Sequence, residues 1–229
     1  IWIPKDTSGL TYGTNGFRLS FADDAEVQAF NTVLHGGTGA TQSVTGTGFS
    51  PDFVWSKARS GDTVGGHLLF DTVRGPKKYL QSNGTGAEAT DSTMLTSFDS
   101  DGFTLGSSQY INDSGNEKYV AWCWDAGANN ASTGHSSVTW EGNSGNQKIS
   151  ELPFSPDLVW IKNRDATNSH GLYDTVRGAT KFISSDSTGA EATSSITLTS
   201  FDKNGFNLGS SNQVNGAYSY VAWAWDAGD

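Results

Sequence analysis

Apolar and polar positions alternate in short runs along most of this chain, and the runs end at glycine-rich or Asn/Asp-rich turns. In "YVAWCWDAG" (residues 119–127) the period is two, so Val120, Trp122 and Trp124 share one face while Tyr119, Ala121 and Cys123 share the other. Both faces carry large or apolar side chains, which predicts a strand inside a sheet rather than at its edge. The same spacing predicts strands over 42–46, 52–57, 67–72, 78–82, 93–98, 102–107 and 118–124. Asp-Gly in "DSDGF" (99–103) and Asn-Gly in "DKNGF" (202–206) sit between apolar runs, where both central residues of a tight hairpin turn need positive φ. Helical spacing occurs only in "DDAEVQAF" (23–30), enough for one or two turns.

The runs recur. "FSPDFVWSKAR" (49–59) returns as "FSPDLVWIKNR" (154–164), "DTVRG" (71–75) at 174–178, "TGAEAT" (85–90) at 188–193, "LTSFDSDGFTLGSS" (95–108) as "LTSFDKNGFNLGSS" (198–211), and "YVAWCWDAG" as "YVAWAWDAG" (220–228). An internal repeat on this scale organises the whole fold. Residues 32–128 form one copy and 136–229 a second, joined by a small, polar linker at 129–135 within "ANNASTGHS". Residues 1–31 hold a further hairpin signal, "TNGFRLSF" (14–21), and read as a partial segment preceding the first copy. Seven or eight short strands in about 95 residues predict an all-β chain of two tandem, similar β-sandwich modules of jelly-roll type.

Composition agrees. Aromatics make up 12% of the chain, and its 28 glycines favour turns between strands over helices. A net charge of −10 leaves too few clustered Lys and Arg for a nucleic-acid partner. A single cysteine excludes an internal disulfide framework, and Cys123 faces Ala224 in the repeat, as a small core filler would. No apolar run has the roughly 20 residues that a membrane helix needs, so no membrane insertion is expected. The start at Ile1 fits a fragment of a longer protein.

Several constellations carry potential chemistry. Asp71, Arg74, His67 and Glu88 recur as Asp174, Arg177, His170 and Glu191. Paired carboxylates serve glycoside hydrolysis, but Asp and Arg three apart before a glycine equally make a turn in which the guanidinium clamps a carboxylate or a carbonyl. The clamp is the expectation, because nothing completes a catalytic set. One histidine per copy lacks a second ligand at metal spacing, and Lys203 falls inside what would be a calcium loop at 202–205, so no metal and no cofactor are expected. Trp55, Trp122 and Trp124 recur as Trp160, Trp223 and Trp225 within strand patterns and read as core packing. Trp140 stands apart, since its counterpart is His35. The copies differ at 58–66 against 163–169 and at 109–118 against 212–219, and loops that vary on a fixed scaffold carry recognition. Tyr110, Asn112 and Asp113 in one loop, Asn212, Asn215 and Tyr218 in the other, together with Trp140, are the candidate receptor-binding residues: rings for a sugar face, short polar groups for its hydroxyls.

"FSPDLVWIKNRD", "LYDTVRGATK", "LTSFDKNGF" and "YVAWAWDAG" together resemble a repeat found in tail fibre and related virion proteins of marine bacteriophages, especially those of cyanobacteria. The resemblance spans about residues 31–229, and "YGTNGFRLSFAD" resembles the segment that precedes such repeats. It implies an extracellular virion component, trimeric as fibres usually are, that joins other virion proteins and attaches to a glycan or protein receptor on the host surface. It implies no catalytic residues. The first copy departs from the repeat at "SKARSGDTVGG", where a shared binding loop is therefore not implied. A structural role as capsid decoration or fibre spacer, and a polysaccharide-degrading enzyme, are the other readings.

Overall fold

The computed structural model describes residues 29–61, 66–115, 117–127 and 134–228. The N-terminal hairpin signal and most of the proposed linker lie outside these residues. The first copy contributes β1 (Phe30–Gly36), β2 (Gln42–Thr45), β3 (Phe53–Ala58), β4 (Leu68–Asp71), β5 (Lys78–Gln81), β6 (Ala89–Thr90), β7 (Leu95–Asp99), β8 (Gly102–Leu105), a single helical turn α1 (Gln109–Asn112) and β9 (Lys118–Trp124). The second contributes β10 (His135–Glu141), β11 (Gln147–Ile149), β12 (Leu158–Asn163), β13 (Gly171–Asp174), β14 (Lys181–Phe182), β15 (Ala192–Thr193), β16 (Leu198–Asp202), β17 (Gly205–Leu208) and β18 (Ser219–Trp225).

Each copy is a sandwich. In the first, a sheet of order β1-β9-β3-β4-β5-β6 packs on a smaller one, β2-β8-β7. In the second, β10-β18-β12-β13 packs on β11-β17-β16, and β14-β15 continues from β13 through the Leu172–Ile183 bridge. Every named pairing is antiparallel, and the registers repeat: Trp55 lies opposite Trp122 in one copy and Trp160 opposite Trp223 in the other. The spacing does not predict β1 as a strand. It begins at Phe30, in the stretch with helical spacing, because β9 offers it a full edge from Trp124 to Lys118.

The hairpins occur where the dipeptides predict them, but by a different device. Asp99 pairs with Gly102, so the turn residues are Ser100 and Asp101, and only the glycine has positive φ, 143°. Gly205 repeats this at φ 153°. A Cβ on Gly102 would strike the Val44 carbonyl of β2, and one on Gly205 the Ile149 carbonyl of β11, so glycine lets the outer strand approach closely. Asp101 secures the loop that follows β2, because its carboxylate accepts the Gly46 and Gly48 N–H groups at 3.2 and 2.7 Å.

Between the sheets lie two matching cores. Val54, Phe70, Leu95, Phe103, Ala121 and Cys123 meet in the first, Val159, Tyr173, Leu198, Phe206, Ala222 and Ala224 in the second. Cys123 is buried and apolar surroundings push its thiol up to about 12, so it fills space and is no nucleophile at neutral pH. The recurring tryptophans are not in these cores. They lie on the outer face of the large sheets, where Phe53, Leu69 and Leu80 of the first copy pack with Trp160, Val221 and Trp223 of the second in a third cluster. Tyr119, Ala121 and Cys123 are turned inward and buried, and on the opposite face of the same strand Trp124 meets His135 and Trp225 of the other copy.

Gly102→Ala is expected to cost more than about 1 kcal/mol, since the strained φ and the blocked approach to Val44 act together. Gly86→Ala, with open space at its Cβ, serves as the neutral control in denaturant melts.

Candidate functional site

The pentapeptide DTVRG ends β4 and β13 and folds into the same clamp twice. Asp71 Oδ1 accepts the Arg74 backbone N–H at 2.9 Å, Oδ2 accepts Arg74 Nε at 2.6 Å, and Arg74 Nη2 donates to the Leu69 carbonyl at 2.9 Å. Arg177 makes the equivalent bonds to Asp174 and Leu172 at 2.8, 2.6 and 2.8 Å. Gly75 and Gly178, both at φ 87°, then let the chain turn back. The guanidinium thus holds both the carboxylate and the carbonyl that the spacing predicted.

The two clamps have unlike surroundings. The Asp71 and Arg74 side chains are wholly buried, whereas those of Asp174 and Arg177 are 25% and 21% exposed. What buries the first is the second copy. Trp223 Nε1 donates to Asp71 Oδ2 at 2.9 Å, and Arg74 stands 5.6 Å over the Trp223 ring. Glu88 accepts Arg164 Nε and Nη2 at 2.9 and 3.0 Å and Arg74 Nη1 at 3.3 Å. Burial raises the Glu88 pKa, but the charges of Arg164, Arg74 and Lys78 outweigh it and hold the carboxyl below its ordinary range. Asp71 and Glu88 are therefore both engaged by arginines. In the second copy, among the described residues, Glu191 has only Lys181, at 4.0 Å, and the buried Arg177 Nη1 has no partner.

Histidine completes the contact. Trp160 Nε1 donates to His170 Nδ1 at 2.7 Å, which puts the ring proton on Nε2, facing the Gln81 carbonyl at 3.0 Å. Burial, with the nearby Lys162 charge, holds His170 down to about 4. His135 stacks on Phe53 of the other copy, 5.6 Å between ring centres, and burial holds it down to about 3. Beside these pairs the sheets leave an apolar cleft of ≈ 390 Å³, walled by Phe53, Trp55 and Trp124 on one side and Leu158, Leu172 and Trp225 on the other. The indole nitrogens of Trp55 and Trp225 are buried without partners among the described residues.

The candidate recognition residues divide into two groups. Asn112 and Asn215 are fully buried and cannot meet a ligand. Asn112 Nδ2 donates to the carbonyls of Ala40 and Gly106, both at 2.6 Å, and its Oδ1 accepts the Thr38 N–H at 2.7 Å; Asn215 binds Gly145 and Gly209 carbonyls and the Asn143 N–H in the same way. Each is a brace that satisfies loop backbone far apart in sequence. Trp140 is also interior: its Nε1 donates to the Val214 carbonyl and its ring stacks on Tyr220, as His35 stacks on Tyr119. The Tyr119 and Tyr220 hydroxyls reach back to tie the loops at Gln109 and Asn212. Outside this frame Tyr110, on α1, is 40% exposed and Tyr218 is 36% exposed; Asn212 is exposed and Asp113 half-buried. The two tyrosines belong to different copies and different points of the loop. Sequence alone missed the braces, although a retained Asn in two otherwise divergent loops was the available signal.

Arg74→Ala is expected to cost about 3–5 kcal/mol because it strands the buried Asp71 charge, while Arg177→Ala costs at most about 1 kcal/mol. Thermal or denaturant melts of the two variants make the comparison. Stability should also fall with acid. His170 and His135 stay neutral in the fold but protonate near the ordinary value of 6.5 when unfolded, so their contribution is complete above pH 6.5 and is lost as pH falls toward about 4 and about 3. A melting temperature unchanged between pH 7 and pH 4 would contradict this.

No curated protein and no solved structure matches the chain. A family profile, the domain of unknown function DUF7483, matches it twice, over residues 26–139 and 130–229. The two matches overlap at 130–139, where β10 pairs with β18 and so completes the second sandwich. The chain belongs to the DUF7483 family, of which it carries two tandem copies.

Proposed function

We propose that this chain is a non-enzymatic attachment module of a virion fibre, extracellular, which presents loops of its two sandwiches to a glycan or protein receptor on a host surface. The observation that carries this reading is the build of the loops at 109–118 and 212–219. Buried Asn112 and Asn215, with the hydroxyls of Tyr119 and Tyr220, fix the loop backbone, and a tyrosine ring is left exposed on each. A ring on a braced loop loses little conformational entropy on binding, and its face suits a sugar ring while its hydroxyl meets sugar hydroxyls. Tyr110 with Asp113, and Tyr218 with Asn212, are the proposed contacts. Such sites are individually weak, and a fibre, trimeric and joined to other virion proteins, would gain useful attachment through effective concentration.

A second reading, a fibre spacer or capsid decoration, draws on the contact between copies. Glu88 with Arg164 and Asp71 with Trp223 lock one sandwich onto the next, as a part that only adds length would require.

Binding of a multimerised chain to a panel of bacterial cells and to a glycan array separates the two. The Tyr110→Ala/Tyr218→Ala double variant should bind more weakly while its stability changes by less than about 0.5 kcal/mol. Undiminished binding by the folded variant would favour the spacer.

A further inference from the structure

The small sheet of the second copy, in the order β11-β17-β16, turns one face inward and the other outward. Ile149, Leu198, Phe206 and Leu208 are buried in the core, so the residues that alternate with them face out. Lys148 lies opposite Asn207, and Asn207 opposite Ser200, which makes one row across all three strands. With Asn146, Ser195 and Thr199 this row lines a groove of ≈ 580 Å³. Its size falls within the roughly 300–1,000 Å³ of small-ligand sites.

The row is held in place by its own hydrogen bonds. Asn207 Nδ2 donates to Ser200 Oγ at 2.8 Å and to Asp202 Oδ2 at 3.0 Å, and Lys148 Nζ meets the same Oδ2 at 2.9 Å. The amide nitrogen must face the carboxylate, so Asn207 Oδ1 remains an acceptor without a partner among the described residues, and Lys148 has further N–H donors. The first copy has the same sheet with a different row. There Ser43, Thr104 and Ser97 hold the corresponding positions, and Thr41 stands for Asn146. Ser43 Oγ lies 3.2 Å from Thr104 Oγ1, while Thr104 Oγ1 and Ser97 Oγ donate to the Asp99 carboxylate at 2.7 and 2.9 Å. Those short hydroxyls are engaged by one another and by Asp99. In the second copy three of the positions carry longer amide or ammonium groups instead, and each lies at an exposed or half-buried place where core packing does not demand the change.

We propose that this outer face of the second copy is a binding site for an uncharged saccharide. Lys148 is the one charged residue among the described residues lining the groove, and Asp202 holds its ammonium, so the surface selects neither an anion nor a cation. No aromatic ring lines it among the described residues, which disfavours a flat apolar ligand. A peptide strand would add to a sheet edge through its backbone, whereas this groove crosses the face of the sheet. What it offers is amides and hydroxyls, which both donate and accept, as sugar hydroxyls do. Adjacent hydroxyls of one sugar ring can meet the Asn207 acceptor and the Lys148 donors, and a row already fixed loses little freedom in doing so. None of Tyr110, Asp113, Asn212 and Tyr218 lines the groove, so the site does not depend on the loop contacts.

NMR titration of the whole chain with neutral oligosaccharides, chosen by their binding to it on a glycan array, tests the proposal. The side-chain amide signals of Asn146 and Asn207 should shift. Lys148→Ser/Asn207→Thr installs the pair that the first copy carries in the same sheet, so this variant should keep the wild-type melting temperature and bind the sugar about tenfold or more weakly. Tyr110→Ala/Tyr218→Ala should leave the shifts and their midpoint unchanged, whatever it does to the binding of cells. The proposal would be overturned if no neutral oligosaccharide moved these signals at millimolar concentration, or if acidic ones bound in preference. Undiminished affinity in the folded Lys148→Ser/Asn207→Thr variant would overturn it too, as would shifts confined to the loops at 109–118 and 212–219.

Discussion

Everything distinctive about the arrangement of this chain follows from the burial of one carboxylate. Asp71 has no exposed side-chain surface, and an isolated carboxylate in that position would cost several kcal/mol even after relaxation. Its oxygens are therefore fully used: the Arg74 backbone N–H and Nε come from its own turn, and the Trp223 indole comes from the other copy. The first two fix the turn at the end of β4. The third fixes where the second sandwich must sit, because an indole N–H has one direction in which to donate. Glu88 then balances the remaining guanidinium charge and draws in Arg164, so a local turn motif becomes the anchor for contact between two domains.

That anchor explains why the chain places large apolar residues on both faces of its central strands. A sandwich needs only one apolar face per sheet. β18 is buried on both, with Tyr220, Ala222 and Ala224 turned toward its own core and Val221 and Trp223 toward the first copy. β9 has the same sequence pattern but a half-buried outer face. The difference between the strands therefore comes from what lies opposite them, not from their residues.

Much of this is legible in the sequence. Period-two runs locate β2 to β5 and β7 to β9 to within two residues but give no sign of β1 or β6, and the two-sided pattern of "YVAWCW" identifies β9 as internal to its sheet, where it lies between β1 and β3. The spacing of Asp71 and Arg74 indicates the clamp. Three things are hidden for physical reasons. Alternation shows that two faces are apolar but not which neighbour each meets, so from sequence the tryptophans read as sandwich core. Asn112 and Asn215 are polar residues in loops, and only the carbonyls converging on them from residues 40 and 106, or 145 and 209, reveal that they are interior. The hairpins are visible but not their geometry: the dipeptides point to positive φ at both central residues, whereas Ser100 and Asp101 lack it, and Gly102 and Gly205 make room for the carbonyl of a third strand.

The duplicated clamp separates what a motif fixes from what its context adds. The Asp–Arg Nε distance is 2.6 Å in both copies, although one pair is buried and the other partly solvated. Local geometry is thus encoded in five residues and survives the change of environment. The energetic weight of those residues is not encoded there. In the first copy the clamp carries a desolvated charge and a domain contact; in the second it ends a strand at the surface. Identical sequence in tandem copies therefore marks shared scaffolding and gives no ground for assigning both copies the same role. Divergence between copies is the more informative signal, and here it falls in the braced loops and on β1, where Phe30 and Leu34 take the places of His135 and Thr139.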